Sequence, residues 1–182
     1  ADYSRLIGVL YEKGYFAPTI SITTGGREVS SLSAVAAPPT IASVVITVDP
    51  GPVFTFGNVT ITPQAPASEP VSGLMRGETA RVSALRAGTA AQIEGWRHAG
   101  HAKAAVADQS ITARHPEKTL SATVTLNPGP RLRFGDLIIQ SQSAVREKRI
   151  REIIGWESGE VFDPDHLDDV RTRMRRTGTF AA

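Results

Sequence analysis

Residues 120–126 alternate strictly: Leu120, Ala122, Val124 and Leu126 are apolar, with Ser121, Thr123 and Thr125 between them. A period of two places the apolar set on one face of a strand and leaves the other face wet. Lys103 to Ala113 runs ahead of it, polar and small apart from Val106 and Ile111, and His115-Pro116 marks a turn between the two. A helical period governs residues 145–154, where Ile150, Ile153 and Ile154 share a face, and residues 164–176, where Leu167, Val170 and Met174 do. The second of these helices carries its own start signal. Asp163 is placed to cap it, Pro164 takes the first helical position, and Phe162 can staple onto Leu167. Asp165, Asp168 and Asp169 lie early and Arg171, Arg173, Arg175 and Arg176 late, so the charges complement the helix dipole until Gly178 ends it.

These patterns recur. Val44 to Ile61 reads VVITVDPGPVFTFGNVTI and Ala122 to Ile139 reads ATVTLNPGPRLRFGDLII, with Thr47, Pro50, Gly51, Pro52, Phe56, Gly57 and Ile61 all repeated 78 positions later. The same offset links Gly100 to Gly178, and Gly14 is a third glycine of the kind, 86 positions before Gly100. Each follows a large apolar residue by four positions: Leu10, Trp96 and Met174. After each Pro-Gly-Pro a strand is expected, Val53 to Ile61 and Arg131 to Ile139, with Gly57 and Gly135 marking a bend or bulge. Two helices follow, then two strands. In the first copy those strands are Phe16 to Thr24 and Ile41 to Asp49, separated by a Ser-, Ala- and Pro-rich loop from Gly25 to Thr40. The middle copy has Gly73, Gly77, Gly88 and Gly95 in its helical part, so its first helix is expected short or irregular.

Composition narrows the chemistry. The 182 residues are 41% hydrophobic and 21% charged, a globular balance. Cysteine is absent, which removes disulfides, thiol catalysis and thiolate zinc sites. With 20 Lys and Arg against 18 Asp and Glu the net charge is +2, so nucleic acid is not the expected partner. No apolar window approaches the roughly 18 residues that cross a bilayer, and the first residues lack a signal-peptide pattern. The segment reads as soluble and as a piece of something larger.

The β-α-α-β-β unit, repeated in tandem with Pro-Gly-Pro closing the third strand and Phe-Gly opening the next, resembles the polypeptide-transport-associated (POTRA) repeat of bacterial outer-membrane assembly proteins, the BamA/TamA superfamily. GEVFDPDHLDDVRTRMRRTGTF is similar to that superfamily's second-helix signature at Gly159, Phe162, Leu167, Gly178 and Phe180, and the YEKGYF, DPGP and RRTGTF blocks are most similar to the TamA branch. The resemblance implies an α+β fold of tandem modules, each with a three-stranded mixed sheet packed on two helices. Residues 1–52 would be the back part of one module, 53–130 a complete module and 131–182 the front part of a third. It further implies a periplasmic arm attached through a C-terminal β-barrel outside this chain. Its partners would be unfolded outer-membrane and autotransporter client polypeptides and an inner-membrane TamB-like protein, with no nucleic acid, no cofactor and no catalysis. In the family's topology the second strand is an edge, which on this chain makes Lys103, Ala105, Val106, Asp108 and Ile111 the candidate docking positions for β-augmentation. Pro50, Gly51, Pro52, Pro128, Gly129 and Pro130 are candidate stiff inter-module junctions. A BamA-type or two-partner secretion transporter, or a spacer without client contact, stands beside this reading.

Other chemistry finds little footing. His98, His101 and His115 lack a third ligand placed by spacing, and the run Asp163, Asp165, Asp168, Asp169 lacks the glycine and final Glu of a calcium loop. Trp96 and Trp156 read as packing residues. No G-x-S-x-G, H-E-x-x-H, Walker loop or G-x-G-x-x-G occurs, and no two glycines stand three apart as a KH clamp requires.

Overall fold

The computed structural model describes residues 2–31, 43–66, 72–140, 146–155 and 157–178. In chain order the elements are α1 (Asp2–Glu12), β1 (Thr19–Thr24), β2 (Arg27–Glu28), β3 (Val44–Asp49), β4 (Thr55–Thr62), α2 (Val82–His98), β5 (Ala105–Arg114), β6 (Thr119–Asn127), α3 (Glu147–Ile154) and α4 (Pro164–Arg176). Two three-stranded sheets form, ordered β2-β1-β3 and β4-β6-β5. In the first, β1 and β3 are antiparallel with Ile22 opposite Ile46 and Thr24 opposite Val44. In the second, β5 and β6 are joined by a tight turn at 115–118, in which Lys118 adopts φ 52°. β4 runs parallel to β6: the Thr55 N–H donates to the Lys118 carbonyl, and three residues on the Asn58 N–H donates to Ser121 Oγ, so the register advances in one direction on both strands. The sheet is therefore mixed, as expected.

The chain forms two compact units, one of Ala1–Val59, Ser72–Ala87 and Ile111–Ala122, the other of Thr60–Val71, Gly88–Ser110 and Thr123–Ala182. The first is built on Phe54, Phe56, Ala80 and Leu120, all buried, with Phe16, Ala17, Val59, Leu74, Ala84 and Ala113 packed against them. Phe16 links stacking on Tyr11 to an edge contact with Phe54. The second unit buries Ile61, Ala65, Ala104, Val124, Leu126, Ile150 and Ile154. Its one buried polar side chain among the described residues is Gln92, whose Oε1 accepts the Ala65 N–H at 2.8 Å. Trp96 packs half-buried there and donates Nε1–H to the Pro63 carbonyl.

The alternating face of β6 is buried at Leu120, Ala122, Val124 and Leu126, and Asp163 caps α4 by accepting the Asp165 N–H, with Pro164 next in the chain. Ile150 and Ile154 are buried on α3, while the stripe of α4, Leu167, Val170 and Met174, is half-buried.

Four expectations are corrected. Residues 131–139 form no strand: only Arg133 bridges, to Val161, because no strand after β6 among the described residues offers a ladder to join. The strand expected from Phe16 begins at Thr19, after Pro18, which has no N–H to give a ladder. The loop from Gly25 contains the short β2, turned back on β1 through Gly25 and Gly26. Between β4 and α2 the described residues form turns, not a helix, with Gly73 and Gly77 at φ 84° and 90°. Ile41, Val145, Trp156 and Phe180 lie outside the described residues.

Candidate docking edge and module junctions

Among the described residues β5 pairs with β6 on one side only, so its other side is a free edge. Every β5 residue is exposed except Ala113, which is half-buried. Ala105, Val106, Asp108 and Ile111 lie on it, with Val106 and Ile111 its exposed large apolar side chains. Lys103 does not: it belongs to the turn before the strand and sits beside Gly129. An exposed strand edge offers unpaired N–H and C=O groups to an incoming strand.

The two Pro-Gly-Pro segments share one local geometry. Gly51 adopts φ 67° and Gly129 φ 68°, and each glycine N–H donates at 3.0 Å to the side chain two residues before it, Asp49 Oδ1 or Asn127 Oδ1. A Cβ on Gly51 would stand 2.8 Å from the Ala17 carbonyl oxygen, so the chain must be bare there.

The helix ends expected at Gly14 and Gly100 belong to a second repeated device, the rest of which was not read from the sequence. α1 ends in a Schellman turn at Gly14, with Tyr15 N–H donating to the Leu10 carbonyl, and α2 ends in the same way at Gly100, with His101 N–H donating to Trp96. Each glycine carbonyl then accepts an N–H from the segment after the next Pro-Gly-Pro: Phe54 to Gly14 and Leu132 to Gly100, both at 2.8 Å. That segment is clasped on its other side by a G-E-x-Φ stretch. Ala80 donates to Phe54, Phe56 to Glu78 and Gly77 to Phe56; Phe162 donates to Leu132, Phe134 to Glu160 and Gly159 to Phe134. The recurrence of Gly77-Glu78 as Gly159-Glu160 was the available signal. Gly14 and Gly100 are closely approached: a Cβ would come within 2.7 Å of Thr79 Cγ2 in the first case and of Val161 Cγ1 in the second.

Next to each clasp, the last residue of one helix meets the start of another. Glu12 accepts the Ser83 N–H at 2.8 Å and pairs with Arg86. The hydroxyl and amide of Ser83 hold the Glu12 carboxyl below its ordinary value, with Arg86 adding a smaller effect in the same direction. At the equivalent place His98 Nδ1 lies 3.4 Å from Asp163 Oδ1 and 3.7 Å from Asp165 Oδ2. The ligand atoms of these three residues lie within 4.8 Å of one another. Asp163 Oδ1 is already engaged by the Asp165 N–H, and the positive end of α4 faces the spot, which disfavours a bound cation there. His101 and His115 go elsewhere. His101 Nδ1 meets the Gly129 carbonyl at 2.8 Å, and His115 stands edge-on to Phe54. Of the late arginines on α4, Arg173 donates to the Ile153 and Ile154 carbonyls at the end of α3, and Arg171 pairs with Asp168. No described helix is long and apolar enough to cross a membrane.

No family profile matches the chain, and no curated protein matches it at a significant level. Among solved structures it is similar to the crystal structure of Haemophilus influenzae BamA POTRA3-5, with a TM-score of 0.64 and 19% sequence identity over 100% of this chain and 70% of that one. A further match is POTRA1-3 of the periplasmic domain of Omp85 from Anabaena, at 15% identity and a TM-score of 0.36, covering 99% of this chain and 72% of that one. The first likeness establishes the fold class: the chain has the α+β architecture of POTRA repeats.

Proposed function

We propose that this chain is a periplasmic docking and scaffold region of an outer-membrane protein assembly factor, and that β5 accepts extended segments of unfolded client polypeptides by strand addition. The observation that carries the reading is the free, fully presented edge of β5 beside a well-buried β6. Backbone pairing tolerates many side chains, which suits clients that share a strand pattern and little else. Ala105, Val106, Asp108 and Ile111 are the contact positions in this reading, with Lys103 flanking them.

The POTRA fold supports the placement, and the YEKGYF, DPGP and RRTGTF blocks favour a TamA-like factor in autotransporter and β-barrel insertion over a BamA-type or two-partner secretion transporter. On this reading the modules run 1–52, 53–130 and 131–182, a C-terminal barrel holds the arm at the outer membrane, and a TamB-like inner-membrane protein is a partner. Neither catalytic residues nor a cofactor are assigned. On this reading the Pro-Gly-Pro turns are the stiff inter-module junctions, with the Gly14 and Gly100 clasps beside them.

The test is a titration of the isotope-labelled chain with an amphipathic barrel-strand peptide. Amide shifts along Ala105–Arg114 are expected. Absence of shifts at saturating peptide would overturn docking and leave the spacer reading.

A further inference from the structure

β1 and β5 hold the same place in successive copies: each opens five residues after the equivalent helix-ending glycine, Gly14 or Gly100. Their outer edges differ. Beyond β5 there is, among the described residues, no strand. Beyond β1 the edge is taken. The chain turns back through Gly25 and Gly26, both at positive φ as a two-residue hairpin turn requires, and Arg27 and Glu28 of β2 pair antiparallel with Thr24 and Thr23. From Ile20 to Thr24 β1 is buried or half-buried, whereas β5 is exposed from Ala105 to Thr112.

The backbone pairing stops after two residues, but the closure goes one residue further along β1. The Ile22 N–H donates to Glu28 Oε1 at 3.0 Å. β1 lies between β2 and β3, so this amide points away from β3, and the carboxylate stands where the carbonyl of an added strand would stand. Three hydroxyls hold Glu28 there. Ser21 Oγ donates to Oε2 at 2.6 Å, the Tyr3 hydroxyl of α1 donates to Oε1, and Ser31 Oγ donates to the Glu28 carbonyl at 2.7 Å. A residue that merely ended a hairpin would need none of these bonds.

We propose that β1 is a second docking edge for extended client segments, and that Arg27–Glu28 is a plug, carried by the chain itself, that keeps this edge shut and reserves strand addition for β5. Displacing Glu28 opens it. The plug defines the occupant: an extended segment antiparallel to β1 that presents a backbone carbonyl to the Ile22 N–H. That bond needs no particular side chain, so the segments that suit β5 suit β1 as well. The inference rests on strand addition as the way this chain binds clients.

The experiment follows amide hydrogen exchange in the full chain, parent and Glu28→Ala, with and without the amphipathic barrel-strand peptide. In the parent the Ile22 amide is expected to be protected and indifferent to the peptide. In Glu28→Ala it should exchange about tenfold faster, and saturating peptide should restore its protection. Because this amide faces away from β3, peptide bound elsewhere on the sheet would not protect it. The pair Tyr3→Phe with Ser21→Ala keeps the carboxylate but loosens its hold; it should give a partial response, and it serves as the test if Glu28→Ala does not fold. The amides of Ala105–Arg114 report on β5 in the same samples. Peptide protection there with none at Ile22 in either variant would overturn the plug and leave docking at β5 standing, whereas no protection at either edge would overturn both. Equal peptide protection of Ile22 in parent and variants would show that nothing shuts the edge, and would also overturn the proposal.

Discussion

Gly14 and Thr79 stand so close that a Cβ on the glycine would meet the threonine methyl at 2.7 Å, and the glycine also needs φ 89°. Gly14→Ala thus meets both a steric and a conformational penalty, expected to cost about 1–3 kcal/mol. Adding Thr79→Ser removes the methyl and should recover part of that loss, leaving the conformational share. A double-mutant cycle by urea denaturation measures the split; full additivity would show that the close approach does not matter.

Phe54 lies at the centre of the first unit, with no exposed surface, between Phe16 and His115. Truncation leaves a cavity that its surroundings can only partly close. Phe54→Ala is expected to destabilise by about 3–5 kcal/mol, read from the denaturant midpoint, while Phe54→Leu should cost less.

Gln92 is 4% exposed and its side-chain oxygen satisfies the Ala65 amide. Gln92→Ala would leave that buried N–H without its acceptor, at about 1–3 kcal/mol. Faster exchange of the Ala65 amide should accompany the loss; unchanged exchange would place the cost elsewhere.

Glu28 accepts hydrogen bonds from the Ser21 hydroxyl, the Tyr3 hydroxyl and the Ile22 amide, and these hold its carboxyl below the ordinary value, Ser21 having the largest effect. A carboxylate whose folded pKa is depressed stabilises above its unfolded pKa, about 4.3, and loses that contribution as pH falls through the folded value. The stability difference between the parent and Glu28→Gln is therefore expected to be constant above about pH 5 and to shrink in acid. Denaturation midpoints at a series of pH values test this; a gap that widened in acid would contradict it.

Where one residue type or one period carried the information, the sequence was readable. The alternation of 120–126 returned as the buried face of β6, and Asp163-Pro164 as a capped helix start. Strand formation at 131–139 was not readable, because the same Phe-Gly pattern becomes a ladder only when a neighbour is present, as β6 is for β4. The missing regularity before α2 follows from Gly73 and Gly77 at positive φ, and the glycines did announce it. At the candidate site, β5 was legible within two residues, which excluded Lys103. The clasps were hidden because their bonds run between backbone groups of segments far apart in sequence, with only glycine and a recurring Gly-Glu pair to mark them.

The helix-end contacts beside the two clasps use opposite charges. Glu12 meets a serine amide and an arginine, whereas His98 meets two aspartates. If the copies were shuffled, Glu12 would confront Asp163 and Asp165, and His98 would lose its two carboxylate neighbours. Like charges at such range are unfavourable. The two contacts are therefore not interchangeable: each helix end suits the helix start that it meets. An engineered array built by repeating one copy would need these positions rewritten together.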